Sequence, residues 1–440
     1  MIDKLAVVVT ISVFMPSLPG GKVRADLAQD YWPAWRGPLA SGVSPTGQPP
    51  LTWSETRNIK WKVPVPGEGT SSPIVWGDKV FVTSPSKPTN EDERATGGPS
   101  LLLLAIAKED GRILWERELD TGNKVVAKQN FSSPTPVTDG RLVWAVTGTG
   151  AVVAVTMDGE VVWKRNLVEM YGKFGQQFGY ASSPLVYDGK LIVQVLHGFF
   201  TDEPSYVMAF DSATGEFAWR IERPTEAVLE SPDSYGTPTL LRYPDKVEII
   251  VSGGDYVTAH DPATGAEVWR AAGINPKNID RNRIIVSPVA VDGMVYACSR
   301  KAPFLAFRGG GTGIVTESHL AWKHMKDAPD VPTPASDGKN VYLFDDRGVV
   351  TCLDAKTGAV VWGPEHTAKG IVSASPILAD GKLYITNEDG VTSVVAIHPE
   401  FKLLATNTLH SDGKTLSSFA VSANRLYLRT PTHLYCIGKK

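Results

Sequence analysis

From about residue 59 to the end of the chain, short apolar runs alternate with polar turn residues, and no stretch shows the three-to-four spacing of an amphipathic helix. The segment 376–406 displays the unit. An apolar run at 376–379 ends in Asp380-Gly381, and a second at 382–386 ends in the turn 387–390. A third run covers 391–397 and a fourth 402–406, so the unit reads as four antiparallel strands, A to D. Asp-Gly between such runs is a hairpin signal, because glycine accepts the positive φ that a tight turn requires. The same dipeptide closes the A–B turn at Asp139-Gly140, Asp188-Gly189, Asp292-Gly293 and Asp337-Gly338.

Two signatures repeat with the strands. The first is a small residue, an Asp, Thr-Gly, and a Trp: Ala209, Asp211, Thr214, Gly215 and Trp219; Ala259, Asp261, Thr264, Gly265 and Trp269; Cys352, Asp354, Thr357, Gly358 and Trp362. A looser copy has Ala105, Asp110, Gly111 and Trp115, and a copy one residue shorter has Ala154, Asp158, Gly159 and Trp163. Trp322 and Trp61 close two further units. The aspartate can cap the amides of the C–D turn, the glycine can take its left-handed position, and the tryptophan on strand D is placed to cover the seam to the next unit. The second signature, Ser or Thr before Pro, opens each unit: Ser72, Ser133, Ser183, Thr237, Ser287, Thr333 and Ser375, with Ser418-Phe419 as a last copy lacking the proline. Eight starts at a period of about 49 residues predict an all-β, eight-bladed β-propeller. The final unit stops after strand C, whereas residues 59–63 form a strand with no blade of its own. That strand is expected to complete the last blade, bringing residues near 60 beside residues near 435 and removing the free edges.

The ends and the composition narrow the class. Lys4 followed by an apolar stretch at 5–18 and by Val23-Arg24-Ala25 reads as a signal peptide at 1–25. Residues 26–52 then form an N-terminal extension and 53–440 the propeller. No cysteine follows the apolar stretch closely, so a lipoprotein anchor is not expected, and no other stretch is long enough for a transmembrane segment. The reading is an exported protein, periplasmic or extracellular, and a monomer. With 44 basic and 47 acidic residues the net charge is −3, which excludes the electrostatic footprint of a nucleic-acid binder. The three cysteines, Cys298, Cys352 and Cys436, have no metal spacing. Cys352 stands where other copies carry Ala, and Cys436 fills the matching place in blade eight, so both read as small core residues.

The repeated Ala-x-Asp-x-x-Thr-Gly-x-x-x-Trp resembles the PQQ-like, or quinoprotein-type, β-propeller repeat with its tryptophan-docking motif, over roughly residues 53–438. Trp32–Pro38 is similar to the opening of exported bacterial proteins of that kind. The resemblance implies structural docking roles for Trp61, Trp115, Trp163, Trp219, Trp269, Trp322 and Trp362. It also implies one of two classes: non-catalytic envelope scaffolds of the BamB type, or dehydrogenases holding PQQ and calcium.

The chemistry favours the first class. The adjacent cysteine pair frequent among the dehydrogenases is absent, and no acidic cluster stands outside the repeat turns, whereas calcium takes six or more oxygens. The eight histidines form no ligand or triad pattern, and the glycines at 309–313 follow a strand C rather than opening a βαβ helix. No catalytic residue, metal ligand or cofactor is expected, with PQQ and calcium as the alternative. The A–B and C–D turns are short, whereas the B–C connections, such as 84–99 and 197–205, and the D–A connectors vary. Binding concentrates in variable loops on rigid scaffolds. The candidate binding residues on that face are Gln129, Asn130, Phe178, Tyr180, His197, Tyr235, Arg283, Arg300, Asp330 and Asp346. The expected partner is a protein or a polar ligand of the cell envelope.

Overall fold

The computed structural model describes residues 29–92, 97–300 and 302–439. The expected signal peptide lies outside the described residues, as do Glu93 and Arg94 of the first B–C loop. Eight antiparallel sheets form an eight-bladed β-propeller, each sheet ordered from an inner strand A to an outer strand D. In blade one the strands are Ile74–Trp76, Lys79–Pro85, Ser100–Ala107 and Ile113–Thr121. In blade seven they are Ile377–Ala379, Lys382–Thr386, Val391–Ala396 and Lys402–Thr408. The A strands of successive blades touch around the central channel.

The small residue of each repeat faces the tryptophan across strands C and D: Ala105 with Trp115, Ala154 with Trp163, Ala209 with Trp219, Ala259 with Trp269, Ala306 with Trp322 and Cys352 with Trp362. In these six blades the register shifts directly after the small residue, a bulge that turns the end of strand C into the turn. The Asp of the turn caps it, as Asp211 Oδ1 accepts from the Ala213 and Thr214 amides at 3.0 and 2.8 Å. Each indole then leans over the next blade. Trp61, Trp115, Trp163, Trp219, Trp322 and Trp362 donate Nε1–H to Lys108, Met157, Ser212, Pro262, Ala355 and Ile397 carbonyls at 3.0–3.2 Å. Five of them lie against that blade's turn glycine so closely that a Cβ there would stand within 2.7 Å of the ring, and the φ of Gly215 is +69°. Trp269 departs from the pattern. Blade five has no turn glycine for it, and its Nε1 donates to Glu248 of its own blade at 3.0 Å.

The ring closes as expected. Ile59–Pro64 pairs antiparallel with His433–Ile437, with Trp61 opposite Cys436 and Lys62 opposite Tyr435. A second closure runs around the channel. The amide of each blade's opening Ser or Thr donates to the hydroxyl of the next, from Ser72 to Thr135, Ser183, Thr237, Ser287, Thr333, Ser375 and Ser418, and from Ser418 back to Ser72. All eight distances lie between 2.8 and 3.1 Å. In blade two the ring member is Thr135, two residues beyond the expected Ser133. Ser133 instead holds the connector, its hydroxyl donating to the Asn130 carbonyl at 2.6 Å. Arg429, fully buried, locks the joint between blades eight and one through the Gly67 and Thr83 carbonyls and the Ser84 hydroxyl.

The extension crosses the channel. Trp32 bridges to Val75 of blade one, and Val43–Ser44 adds a parallel strand to Ile377–Ala379 of blade seven. Between them the buried Arg36 donates to the Pro376 and Pro334 carbonyls at 2.8 and 2.9 Å. Burial without a carboxylate partner holds this guanidinium well below its ordinary range, at about 9.

Two outcomes follow. Trp61 is buried in both the closing strand and the seam to blade one. Trp61→Ala is expected to lower the unfolding free energy by about 3–5 kcal/mol, measured by urea titration; a loss below about 1 kcal/mol contradicts this role. His260, wholly buried between the Thr258 hydroxyl and the Gly265 carbonyl, is lowered to about 4 by burial. The folded state therefore takes up this proton less readily than the unfolded chain. Its contribution is complete above about pH 6.5 and is lost as pH falls toward 4, on the order of 3 kcal/mol in all. Urea midpoints at pH 7 and 4.5 should show a smaller acid loss in His260→Gln than in the parent.

Candidate functional site

The D–A and B–C connections gather at one end of the channel, where they enclose an axial cavity of about 660 Å³. All eight D–A connectors contribute to its wall, so no single blade makes it. The crossing extension supplies Trp35, held by Arg36, whose guanidinium lies 5.7 Å from the indole centroid.

Six candidate residues line this cavity: Gln129, Phe178, Tyr235, Arg283, Asp330 and Asp346. Gln129 Nε2 donates to the Phe178 carbonyl and so fixes one connector against the next. The Tyr235 hydroxyl accepts from the Phe178 amide at 3.0 Å, and burial with the nearby Asp233 charge raises its pKa. Arg283 lies over the Phe178 ring at 5.1 Å, and it pairs with Glu230 at 3.4 Å and Asp330 at 3.8 Å. Burial raises the Asp330 carboxyl, which the guanidinium groups of Arg283 and Arg300 partly counter. Asp346 accepts from the Asp330 amide at 3.3 Å.

The other four stand away from the wall. Arg300 is behind Asp330, its Nε 3.4 Å from Oδ2. Asn130 turns inward to cap Ser132 and donates to the Glu68 carbonyl at 2.7 Å. Tyr180 is a core residue stacked on Phe174 at 4.7 Å, with its hydroxyl on the Gln194 carbonyl. His197 is buried in its loop, where Nδ1 accepts from the Gly175 amide at 3.1 Å, and burial lowers its pKa. All three lie in polar loops of that face, and each satisfies polar atoms on backbone groups of a neighbouring strand or loop instead of facing the cavity. Sequence reasoning missed Trp35 and Lys128. The first lay in a segment read as an extension, although its Trp-rich motif stood out. The second pairs at 2.6 Å with Glu388, a residue 260 positions away that no local pattern connects to it. The opening Ser/Thr residues were noted only as strand starts, yet six of them line the cavity.

Outside the cavity the same face is apolar around blades three to five. Phe200, Val228, Leu229 and Ile279 are exposed, Phe200 at 69%. Val228 and Ile279 rim a second hollow of about 520 Å³ with Glu226, Asp255 and Asp280. Asp233 ties these loops together, accepting from the amides of Gln177, Gly198 and Phe199 at 2.7–3.2 Å; burial pushes its carboxyl up to about 6.

The residues present do not fit PQQ with calcium. Two carboxylates reach the axial cavity, one of them already held by two arginines, and calcium asks for several free oxygens. The three cysteines are buried in separate blades, and burial raises each thiol.

A family model described as outer membrane protein assembly factor BamB matches residues 42–167, 99–364 and 316–400. The protein of that name from Yersinia pestis is 24% identical over 339 residues, covering 74% of this chain and 77% of the relative. That from Salmonella typhimurium is 25% identical over 301 residues, covering 59% and 73%. Among solved structures, BamB from Moraxella catarrhalis superposes with a TM-score of 0.60 at 15% identity, over 86% of this chain and 99% of that one. A europium-containing methanol dehydrogenase superposes with a TM-score of 0.65 at 12% identity, over 95% and 100%. Both likenesses are of fold.

Proposed function

The chain belongs to the BamB family of outer membrane protein assembly factors, and from that premise we propose that it is an exported, non-catalytic propeller that holds a protein partner in the cell envelope. The partner contacts the face of the D–A and B–C loops. The observation that carries this reading is the division of the molecule into a closed, hydrogen-bonded ring and one face of irregular loops with exposed Phe200, Val228, Leu229 and Ile279. An exposed apolar patch rimmed by acids suits protein contact. The opposite face is built of short capped turns except in blade five, whose long C–D connection exposes Ile314. Among the described residues no helix is long and apolar enough to cross a membrane. The relatives are named as assembly factors, and the partner proposed here is accordingly a component of outer membrane protein assembly.

Photo-crosslinking amino acids at Phe200, Val228 and Ile279, with Asp380 on the opposite face as control, test the reading in the native cell. Crosslinks to an envelope protein are expected from the first three positions and not from Asp380. Equal yields from both faces, or none from the loop face, would refute it.

The dehydrogenase alternative draws on the structural likeness to methanol dehydrogenase and on the axial position of the cavity. The donor set argues against it. Calorimetric titration with PQQ in the presence of calcium is expected to give no saturable heat, and an alcohol panel no dye reduction; micromolar binding with dye reduction would establish the enzyme instead.

A further inference from the structure

We propose that the axial cavity is a binding site for a neutral saccharide, a short run of sugar rings seated against Trp35. This site is separate from the apolar loop patch, and it stands whether or not a protein docks there.

Three observations select the ligand class. The first is hydrogen-bonding capacity. Each opening Ser or Thr hydroxyl accepts one amide of the ring, and none has an acceptor for its own hydrogen among the described residues. Ser72, Thr135, Ser183, Ser375 and Ser418 are each more than nine-tenths buried and line the cavity, so their O–H groups are donors pointed at no partner in the chain. Acceptors stand across from them: Asp346 on the wall, and Asp330, whose Oδ1 receives no hydrogen bond. A ligand that both donates and accepts at many points satisfies both sets, because buried polar groups cost free energy until paired.

The second is charge. Every cation at the wall already faces a carboxylate: Lys128 with Glu388, Arg283 with Glu230 and Asp330, and Arg347 with Asp345. An anion would have to displace a buried carboxylate from its arginine, and a cation would find Asp330 engaged and Asp346 alone outside an ion pair among the wall carboxylates of the described residues. A neutral ligand meets no such competition.

The third is the aromatic floor. The Trp35 indole is half-buried, faces the cavity and makes no hydrogen bond among the described residues. Its neighbour Arg36 is locked to two ring carbonyls, so the platform is preorganised. The apolar C–H face of a sugar ring packs on an indole while its hydroxyls meet the polar wall. The volume, about 660 Å³, lies inside the range of roughly 300–1,000 Å³ that small-molecule sites occupy. A peptide strand fits less well, since Trp32 and Val43 of the extension already pair with inner strands of blades one and seven.

The test is calorimetric titration of the purified full-length protein with maltotriose, with N,N′,N″-triacetylchitotriose, and with inorganic phosphate. Saturable binding of either trisaccharide with a Kd below about 1 mM is expected, and no binding of phosphate. The two sugars separate a glucan from a wall-type amino sugar as the source. Asp346→Asn, and Trp35→Leu where it folds, should each weaken binding about tenfold or more while cooperative unfolding is retained. Silence with both sugars from the folded protein, phosphate binding in their place, or unchanged affinity in folded Asp346→Asn would overturn the proposal.

Discussion

A propeller is stable only if its last blade finds its first, and here two independent sets of hydrogen bonds enforce that meeting. The outer one is the pairing of Ile59–Pro64 with His433–Ile437, which gives blade eight its fourth strand from the opposite end of the chain. The inner one is the circle of eight amide-to-hydroxyl bonds at the channel. Each neutral bond is worth only about 1 kcal/mol, but the circle has no end at which to fray. Everything functional is mounted on it. The D–A connectors end on the hydroxyl ring, so their positions relative to one another are set by the ring together with loop-to-loop bonds such as Gln129 to Phe178 and Asp233 to Gln177.

The seams show how the repeat tolerates local loss. A tryptophan on one blade and a turn glycine on the next form a lock in which the glycine is required by contact with the ring as much as by its own φ. Blade five carries a long C–D connection instead of that turn. Trp269 accordingly turns to Glu248, and Gly313–Ile314 of the same connection pairs with strand D of blade four, covering the edge the missing turn leaves. In blade seven Ala405 stands in the tryptophan position opposite Val394. That seam is served from the other side by the N-terminal segment, whose Trp53 stacks on Tyr384 and meets Phe419 edge-on.

The extension is therefore part of the architecture. It crosses the channel, pairs with two inner strands and converts an open pore into a cavity with a floor. The result is a compartment with balanced charge, unpaired hydroxyl donors and one aromatic plane, beside a loop surface with a different, apolar character. A protein partner and a small ligand would use the two regions without excluding one another.

The sequence by itself determined the blade count, the order of strands, the docking tryptophans, the small residues opposite them and the closing strand. These rest on short-range chemistry that recurs from blade to blade: Asp-Gly turns in five blades, capped Thr-Gly turns in three, and period-two strands, each readable within a dozen residues. The cavity was legible only in part. Gln129, Phe178, Tyr235, Arg283, Asp330 and Asp346 reached it, because connectors opening at the channel mouth must send some side chains inward. Tertiary structure alone decided that Asn130, Tyr180 and His197 turn away, that Thr135 rather than Ser133 joins the ring, and that Trp35 makes the floor. Each of those choices depends on a partner far along the chain, such as Thr135 on Ser72 and Ser183 or Arg36 on Pro334 and Pro376. The direction of a side chain in an irregular loop follows the polar group or cavity that awaits it, and that is assembled only when the ring has closed.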